Sequence, residues 1–275
     1  MKVLLTGATG FIGSKLLPVL TQEKYDVYTI GRSNLDYAKH TKLDLKDNFA
    51  IENLMQSLKP DICLNLAWFV KHKIYWNSDE NLDCLSLSTK LMKEFYKNNP
   101  NGIFYGFGTF YQYLHDTHIG NNLYTKSKIK TYEILKDFAS LSNYKTSWGF
   151  IHNVYGKGEP SEKIISYLIT KLRNKEEVFV QNPFNKFDFI NVVDIANQIF
   201  YAIKNNYIGD FDICYGTSFT TQEIAYMICD ILNVSKDLIK INHQSDQKFE
   251  ISSKPLDIYK NINIKDRLCE MIDNL

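Results

Sequence analysis

The sequence predicts an α/β fold, a parallel sheet wound with helices on both faces. Three observations carry that prediction. Short apolar runs alternate with amphipathic helical patterns through the first half of the chain. The first apolar run leads at once into three evenly spaced glycines. The length, 275 residues, suffices for one large α/β domain or two smaller lobes sharing a core.

The first unit is KVLLTGATGFIGSKLLPVLTQE. KVLLT has the pattern of a buried strand, and FIGSKLLPVL that of a helix. Between them Gly7 permits a tight turn, Gly10 lets backbone approach a pyrophosphate, and Gly13 lets the helix pack close to the strand. The helix start offers N–H groups and a positive dipole end to phosphate. A nucleotide cofactor is therefore expected. Pro18 predicts a kink or an early end to this helix.

YDVYTIGR (25–32) predicts the second strand. An NAD-specific fold normally has an acidic residue at its end, to take the ribose hydroxyls. This chain has Arg32 and Ser33, and no carboxylate before Asp36, a pairing that suits a 2′-phosphate. The expectation is NADP(H) in preference to NAD. KLDLKD (42–47) predicts the end of a third strand, with Asp44 and Leu45 near the adenine. KPDICLNLAW (59–68) predicts a fourth, ending at Leu66, Ala67 and Trp68.

SDENLDCLSLSTKLMKEFYKNN has a long helical pattern, and NGIFYGFGTFYQY is an aromatic strand ending among glycines. NNLYTKSKIKTYEILKDFA is the next helix. YTKSK places Tyr124 and Lys128 four apart, so both lie on one helical face at its start. An ammonium beside a phenol stabilises phenolate, so Lys128 is expected to lower the Tyr124 pKa. A strand, YKTSWGFIHNVYG, follows. The pair thus falls between two strands ending at the ligand edge of the sheet.

Further on, Asp194 reads as a helix-start carboxylate, with an N-cap role competing against chemistry. Thr220 or Thr221 is the expected cap of SFTTQEIAYMICDILN. His115 and His118, with Asp116 between them, lack a closed ligand set, so no metal is expected. His152 either meets a ligand or packs.

The composition excludes several classes. A net charge of +1 leaves no basic excess for a nucleic-acid backbone, and lysine runs such as KHK (71–73) read as solvated surface. Five scattered cysteines, with no C-x-x-C, form neither a disulfide framework nor a zinc site. MKVLLTGATG lacks the form of a signal peptide, and no apolar run is long enough to span a membrane. A soluble, cytoplasmic protein is expected.

TGATGFIG (6–13), DL (44–45), NLAW (65–68), the helix at Asn81, YTKSK (124–128), NVYGKG (153–158) and FDFINVVDIA (187–196) stand in one order and spacing. In these the chain resembles the extended short-chain dehydrogenase/reductase family, in the branch acting on nucleotide-diphosphate sugars. It is most similar to the sugar 4-epimerases and to short 4-keto-6-deoxyhexose reductases of the abequose and paratose kind. The resemblance implies a Rossmann-type NAD(P)-binding domain over residues 1–152. A small, mostly C-terminal substrate-binding lobe would span 153–275, with 186–205 returning to pack on the core.

It implies cofactor contacts from Gly7, Thr9, Gly10, Phe11, Ile12, Gly13, Arg32, Ser33, Asp44, Leu45, Leu66, Ala67, Trp68, Tyr124 and Lys128. Tyr124 would be the general acid on the sugar 4-oxygen, with Lys128 holding the nicotinamide ribose. The family's usual strand Ser or Thr is replaced by Phe107, and Thr109, Tyr111 or backbone are the alternative donors. Gly108 and Thr109 stand where family dehydratases carry Asp-Glu, which disfavours dehydration. Phe150 and Phe187 stand where arginines are usual, and Lys186 next door is either a replacement diphosphate contact or a surface lysine. Phe107, Asn153 and Lys186 are the expected substrate contacts.

The function expected is NADPH-dependent reduction of a nucleotide-linked 4-keto-6-deoxyhexose. The alternative is an NAD-dependent epimerase passing through a transient ketone, and the third reading is an inactive sugar-nucleotide-binding protein. The resemblance also implies a homodimer through the helices beginning near Asn81 and Tyr124.

Overall fold

A computed structural model describes residues 1–242, 253, 255–256 and 262–273 of the chain. The segment EISSKPLDIYKNI (250–262), whose sequence resembles the family's tail without its usual Asp after the Ser, lies largely outside them. The described chain forms two compact units, residues 1–151 with 196–211, and residues 152–195 with 212–275.

The first unit opens with β1 (Lys2–Thr6), α1 (Gly13–Gln22), β2 (Asp26–Gly31), β3 (His40–Lys42), α2 (Asn48–Leu58) and β4 (Ile62–Asn65). α3 (Glu80–Asn98), β5 (Ile103–Thr109), α4 (Leu123–Ser142) and β6 (Lys145–Ile151) follow. After β7 (Asn153–Tyr155), α5 (Ile164–Arg173), β8 (Val178–Gln181), β9 (Lys186–Phe187) and β10 (Phe189–Asn191), α6 (Val192–Lys204) carries the chain on to β11 (Gly209–Ile213). β12 (Phe219–Thr220), α7 (Thr221–Leu232), β13 (Ile239–Asn242) and α8 (Ile264–Asp273) complete it.

The expected sheet is present, with strand order 11-6-5-4-1-2-3. β1 pairs in parallel with both β2 and β4. Strand order therefore reverses between β1 and β4, and the crevice beyond their C-terminal ends is where such sheets hold ligands. β1 and β4 are apolar because helices cover both faces, and Leu4, Ile30, Met55, Cys63, Phe95 and Phe104 share one buried cluster. The third strand is shorter and earlier than the 42–47 expected. Asp44 accepts from the Lys46 N–H and Asp47 caps α2, so local side-chain hydrogen bonds end the ladder after Lys42. α1 runs on through Pro18 without ending there.

β5 is buried along its whole length. Its glycines make room for Trp148 of β6: a Cβ at Gly108 would lie 2.0 Å from the Gln112 Oε1 and 2.4 Å from the Trp148 Nε1. Gln112 Oε1 accepts from the Thr109 N–H, so this packing holds the end of β5 in place.

The second unit has its own core, including Tyr155, Leu168, Val180, Ile228 and Leu268. Thr220 caps α7 with Glu223 in a reciprocal capping box, one of the two caps expected. Asp194 has a different job from the N-cap considered for it. Asn191 Oδ1 accepts the Val193 N–H at the start of α6. The wholly buried Asp194 carboxylate instead takes Arg267 of α8 in a two-point ion pair, at 2.8 and 2.7 Å, and also accepts from the Tyr215 hydroxyl.

Candidate active site

The glycine turn is built as its sequence requires. Gly7 has φ +72°, a region open to glycine and strained for other residues. A Cβ at Gly13 would lie 2.1 Å from the Gly7 carbonyl oxygen, so only glycine lets α1 approach β1 this closely. The Thr6 hydroxyl donates to Asn65 Oδ1 (2.9 Å) and accepts from the Ala67 N–H (3.1 Å), tying the ends of β1 and β4. Asn65 Nδ2 in turn donates to Ser88 of α3 (2.8 Å). Thr9 and Gly10 stay exposed at the start of α1, with Phe11 and Ile12 half-buried. A tight turn, an open helix start and a bare backbone fit a dinucleotide pyrophosphate.

Asp44 is exposed and Leu45 half-buried just beyond β3. Arg32 and Ser33 are exposed in the turn after β2. What fixes this turn is His40, which bridges the Thr29 hydroxyl (2.9 Å) and the Ser33 carbonyl (3.0 Å).

Tyr124 and Lys128 occupy the first two turns of α4, whose N-cap Asn122 accepts the Thr125 N–H. Both are nearly sealed from solvent, at 9 % and 6 % exposed. Thr109, at the end of β5, hydrogen-bonds the Tyr124 side chain. Thr109 also caps the short 3₁₀ helix Phe110–Leu114, accepting from the Tyr111 N–H. Phe107 lies on the same side of the strand and contributes its carbonyl, which accepts from Lys128 Nζ at 2.6 Å.

The electrostatics differ from expectation. Burial raises the Tyr124 phenol above its ordinary range, and the Thr109 hydrogen bond only partly offsets this. Burial also pushes Lys128 down to about 7. Lys128 does not pull the phenol down here, because its ammonium is directed to the Phe107 carbonyl and the Trp68 ring face, 3.7 Å from the centroid. A buried, protonated tyrosine suits donation of a proton to a developing alkoxide.

Several neighbours were not read from the sequence. Tyr75 and Trp76 form an aromatic wall around Tyr124, with ring centroids 4.9 and 5.9 Å away, and Trp76 meets Tyr111 edge-on at 4.9 Å. The available signal was an aromatic pair in the loop after the fourth strand, where ligands collect. Asn81, wholly buried, accepts the Trp68 indole N–H at 2.9 Å.

Asn153 and Lys186 belong to the other unit, on β7 and β9. The Asn153 N–H donates to the Asp188 carbonyl, and Lys186 pairs with Thr220 in a two-stranded ladder. His152 is buried against Asp212 at 3.2 Å, so it packs within that unit. His115 Nδ1 is hydrogen-bonded to Gln112 O. Among the described residues no three His, Cys, Asp or Glu side chains group around a metal position. No helix among them is long and apolar enough to cross a membrane.

Comparison with known proteins adds three findings. A profile of the NAD dependent epimerase/dehydratase family matches residues 3–214. The CDP-abequose synthase of Yersinia pseudotuberculosis is 26 % identical over 99 % of this chain and 98 % of its own. Two solved structures share the fold. The UDP-glucose 4-epimerase of Thermus thermophilus, in complex with NAD, has TM-score 0.80 at 15 % identity, covering 99 % and 98 % of the two chains. The dTDP-glucose 4,6-dehydratase of Bacillus anthracis, also with NAD, has TM-score 0.81 at 18 % identity, covering 99 % and 96 %.

These findings overturn the preference for NADP(H). The family is NAD dependent, and both solved structures hold NAD. The physical reason lies in the exposed turn after β2. His40 fixes its backbone, while the side chains of Arg32 and Ser33 extend into solvent, so their mere presence did not mark a 2′-phosphate site.

Proposed function

The chain belongs to the NAD dependent epimerase/dehydratase family, and from that premise we propose that it epimerises a nucleotide-diphosphate sugar at C4 through a transient ketone. The observation that carries this reading is the buried phenol of Tyr124 beside Thr109 at the ligand edge of the sheet, with the buried Lys128 one turn further along α4. The glycine turn would hold the pyrophosphate of NAD, Asp44 and Leu45 its adenosine end, Leu66 to Trp68 its middle, and Lys128 the nicotinamide ribose. Bound NAD supplies an acceptor for the C4 hydride and returns it.

This chain's own residues handle the proton. The oxidising half-cycle needs Tyr124 as phenolate, to take the C4 hydroxyl proton. The reducing half returns that proton from the phenol to the ketone oxygen, so the cycle is neutral; burial of the phenol favours the reducing half. Thr109 orients that hydroxyl, in place of the strand residue replaced by Phe107. Tyr75, Trp76 and Trp68 exclude water around the phenol, which strengthens each charged hydrogen bond made there. Asn153 and Lys186 are the proposed substrate contacts of the second unit. The five cysteines are unbridged, which fits a reducing, cytoplasmic setting.

A second reading is favoured by the near full-length similarity to a CDP-abequose synthase. It is net reduction of a preformed 4-keto deoxysugar nucleotide, with Tyr124 donating the proton and NADH supplying the hydride. Gly108 and Thr109 provide no carboxylate pair, which speaks against dehydration.

The test is incubation with NAD or NADH and a panel of UDP-, CDP- and dTDP-hexoses, including 4-keto forms. Proton NMR of the sugar and NADH absorbance are followed together. A C4 epimer with no net change in NADH supports epimerisation, whereas NADH oxidised one-for-one with product selects the reduction. No conversion across the panel by cofactor-loaded protein refutes both.

A further inference from the structure

The side chain of Asn81 makes three hydrogen bonds in the first turn of α3 while wholly buried. Its Nδ2 donates to the Tyr75 carbonyl (2.6 Å) and the Ser78 carbonyl (2.9 Å). With both donors used, its Oδ1 is left facing Trp68 and accepts the indole N–H at 2.9 Å. The indole cannot turn without stranding a buried acceptor, which is costly. The ring so fixed presents its face to Lys128 Nζ at 3.7 Å, well within cation–π range. The Phe107 carbonyl holds the same ammonium from β5.

We propose that Asn81 and Trp68 are positioning residues for Lys128: the amide locks the indole, and the indole face holds the ammonium in place and favours its charged form. Neither would touch the reacting atoms. The proposal concerns the same site as the reading above and rests on Lys128 being its lysine. The other groups around Lys128 leave this task to the indole. From α3 the titratable neighbour is Cys84, whose thiol burial keeps neutral, and on α4 it is Tyr124, also kept neutral by burial. The strand residues beside Lys128, Asn65 of β4 and Phe104 and Phe107 of β5, carry no charge. An ammonium sealed among neutral groups depends on dipoles and ring faces for its charge.

The test is the titration of Lys128 followed by NMR of the whole chain carrying ¹³C-labelled lysine, with no sugar present. Lys128→Met assigns the signal, and thermal melting verifies the fold of each variant. Trp68→Leu keeps bulk but removes the ring face, and the midpoint should fall by about 0.4 to 1.5 pH units. Trp68→Phe restores a ring and should bring the midpoint most of the way back. Asn81→Ala leaves the indole unpinned and should move the midpoint in the same direction as Trp68→Leu, by less.

An unchanged or raised midpoint in Trp68→Leu would overturn the proposal, showing the indole to be only a wall. If that variant does not fold, Asn81→Ala carries the same decision: a lowered midpoint supports the lock and an unchanged one refutes it. The readout needs no turnover, so failure of the epimerase reading and failure of this one are separate results.

Discussion

The three glycines at the head of α1 are predicted to have separable jobs, and two alanine substitutions separate them. In Gly13→Ala the new methyl would start 2.1 Å from the Gly7 oxygen, 2.8 Å from the Gly7 carbonyl carbon and 2.9 Å from Ala8 Cα. All three are backbone atoms, so no side chain can rotate away, and α1 must move by an ångström or more. Overpacking of this kind costs about 1–3 kcal/mol, or about 2–12 °C in melting temperature for a chain of this size.

In Gly10→Ala the added carbon meets only the Gly7 oxygen, at 3.1 Å, a contact relieved by a few tenths of an ångström. Stability should change by less than about 1 kcal/mol, since alanine also favours the helix start. The methyl would stand on the exposed face where a pyrophosphate must approach backbone, and NAD affinity should fall at least about tenfold, equivalent to 1.4 kcal/mol. Calorimetric titration with NAD and thermal melting are run on both variants. Gly10→Ala binding NAD like the unaltered chain, or Gly13→Ala melting like it, would refute this division of labour.

Thr109→Val should lower turnover at least about tenfold while Thr109→Ser retains most of it, measured on whichever nucleotide sugar is accepted. Arg267→Leu should destabilise the second unit by about 3–5 kcal/mol in denaturant titration, because it leaves the buried Asp194 carboxylate without its cation. Lys128 has a folded pKa of about 7, below its unfolded value of 10.5. Between those values the unfolded chain binds more protons, so this group makes stability rise with pH there, and its cost is largest below pH 7. Lys128→Met should therefore stabilise the chain most at pH 6 and progressively less toward pH 10, by denaturant midpoints; a gain that does not shrink as pH rises contradicts the depressed pKa.

What was legible in the sequence is what local spacing determines. Alternating apolar runs gave the strands of the sheet, glycine spacing gave the turn at Gly7, and the i, i+4 spacing put Tyr124 and Lys128 on one face. That Thr109 and Phe107 share one side of β5 was legible as well, through the alternation of side chains along the strand. The rest depends on contacts between distant segments. Asp194 and Arg267 are 73 residues apart, and nothing near Asp194 signals an arginine that displaces it from capping. The lysine was expected to act on the phenol because sequence spacing gives proximity but not direction. The Phe107 carbonyl and the Trp68 ring, which redirect it, come from β5 and the loop after β4. Arg32 and Ser33 misled for a related reason: residue type at a strand end does not fix where the side chain goes.

The central claim is that Tyr124 moves the proton at the sugar C4 oxygen, and the single-turnover rate of Tyr124→Phe with saturating NAD measures it most directly. The substitution removes one hydroxyl and leaves the rings of Tyr75, Trp76 and Trp68 a surface to pack on. Melting temperature and NAD affinity should stay unchanged, and the rate at C4 should fall by about 10²–10⁴-fold, the usual worth of a positioned general acid. A Tyr124→Phe protein that converts the sugar at the unaltered rate would contradict the account.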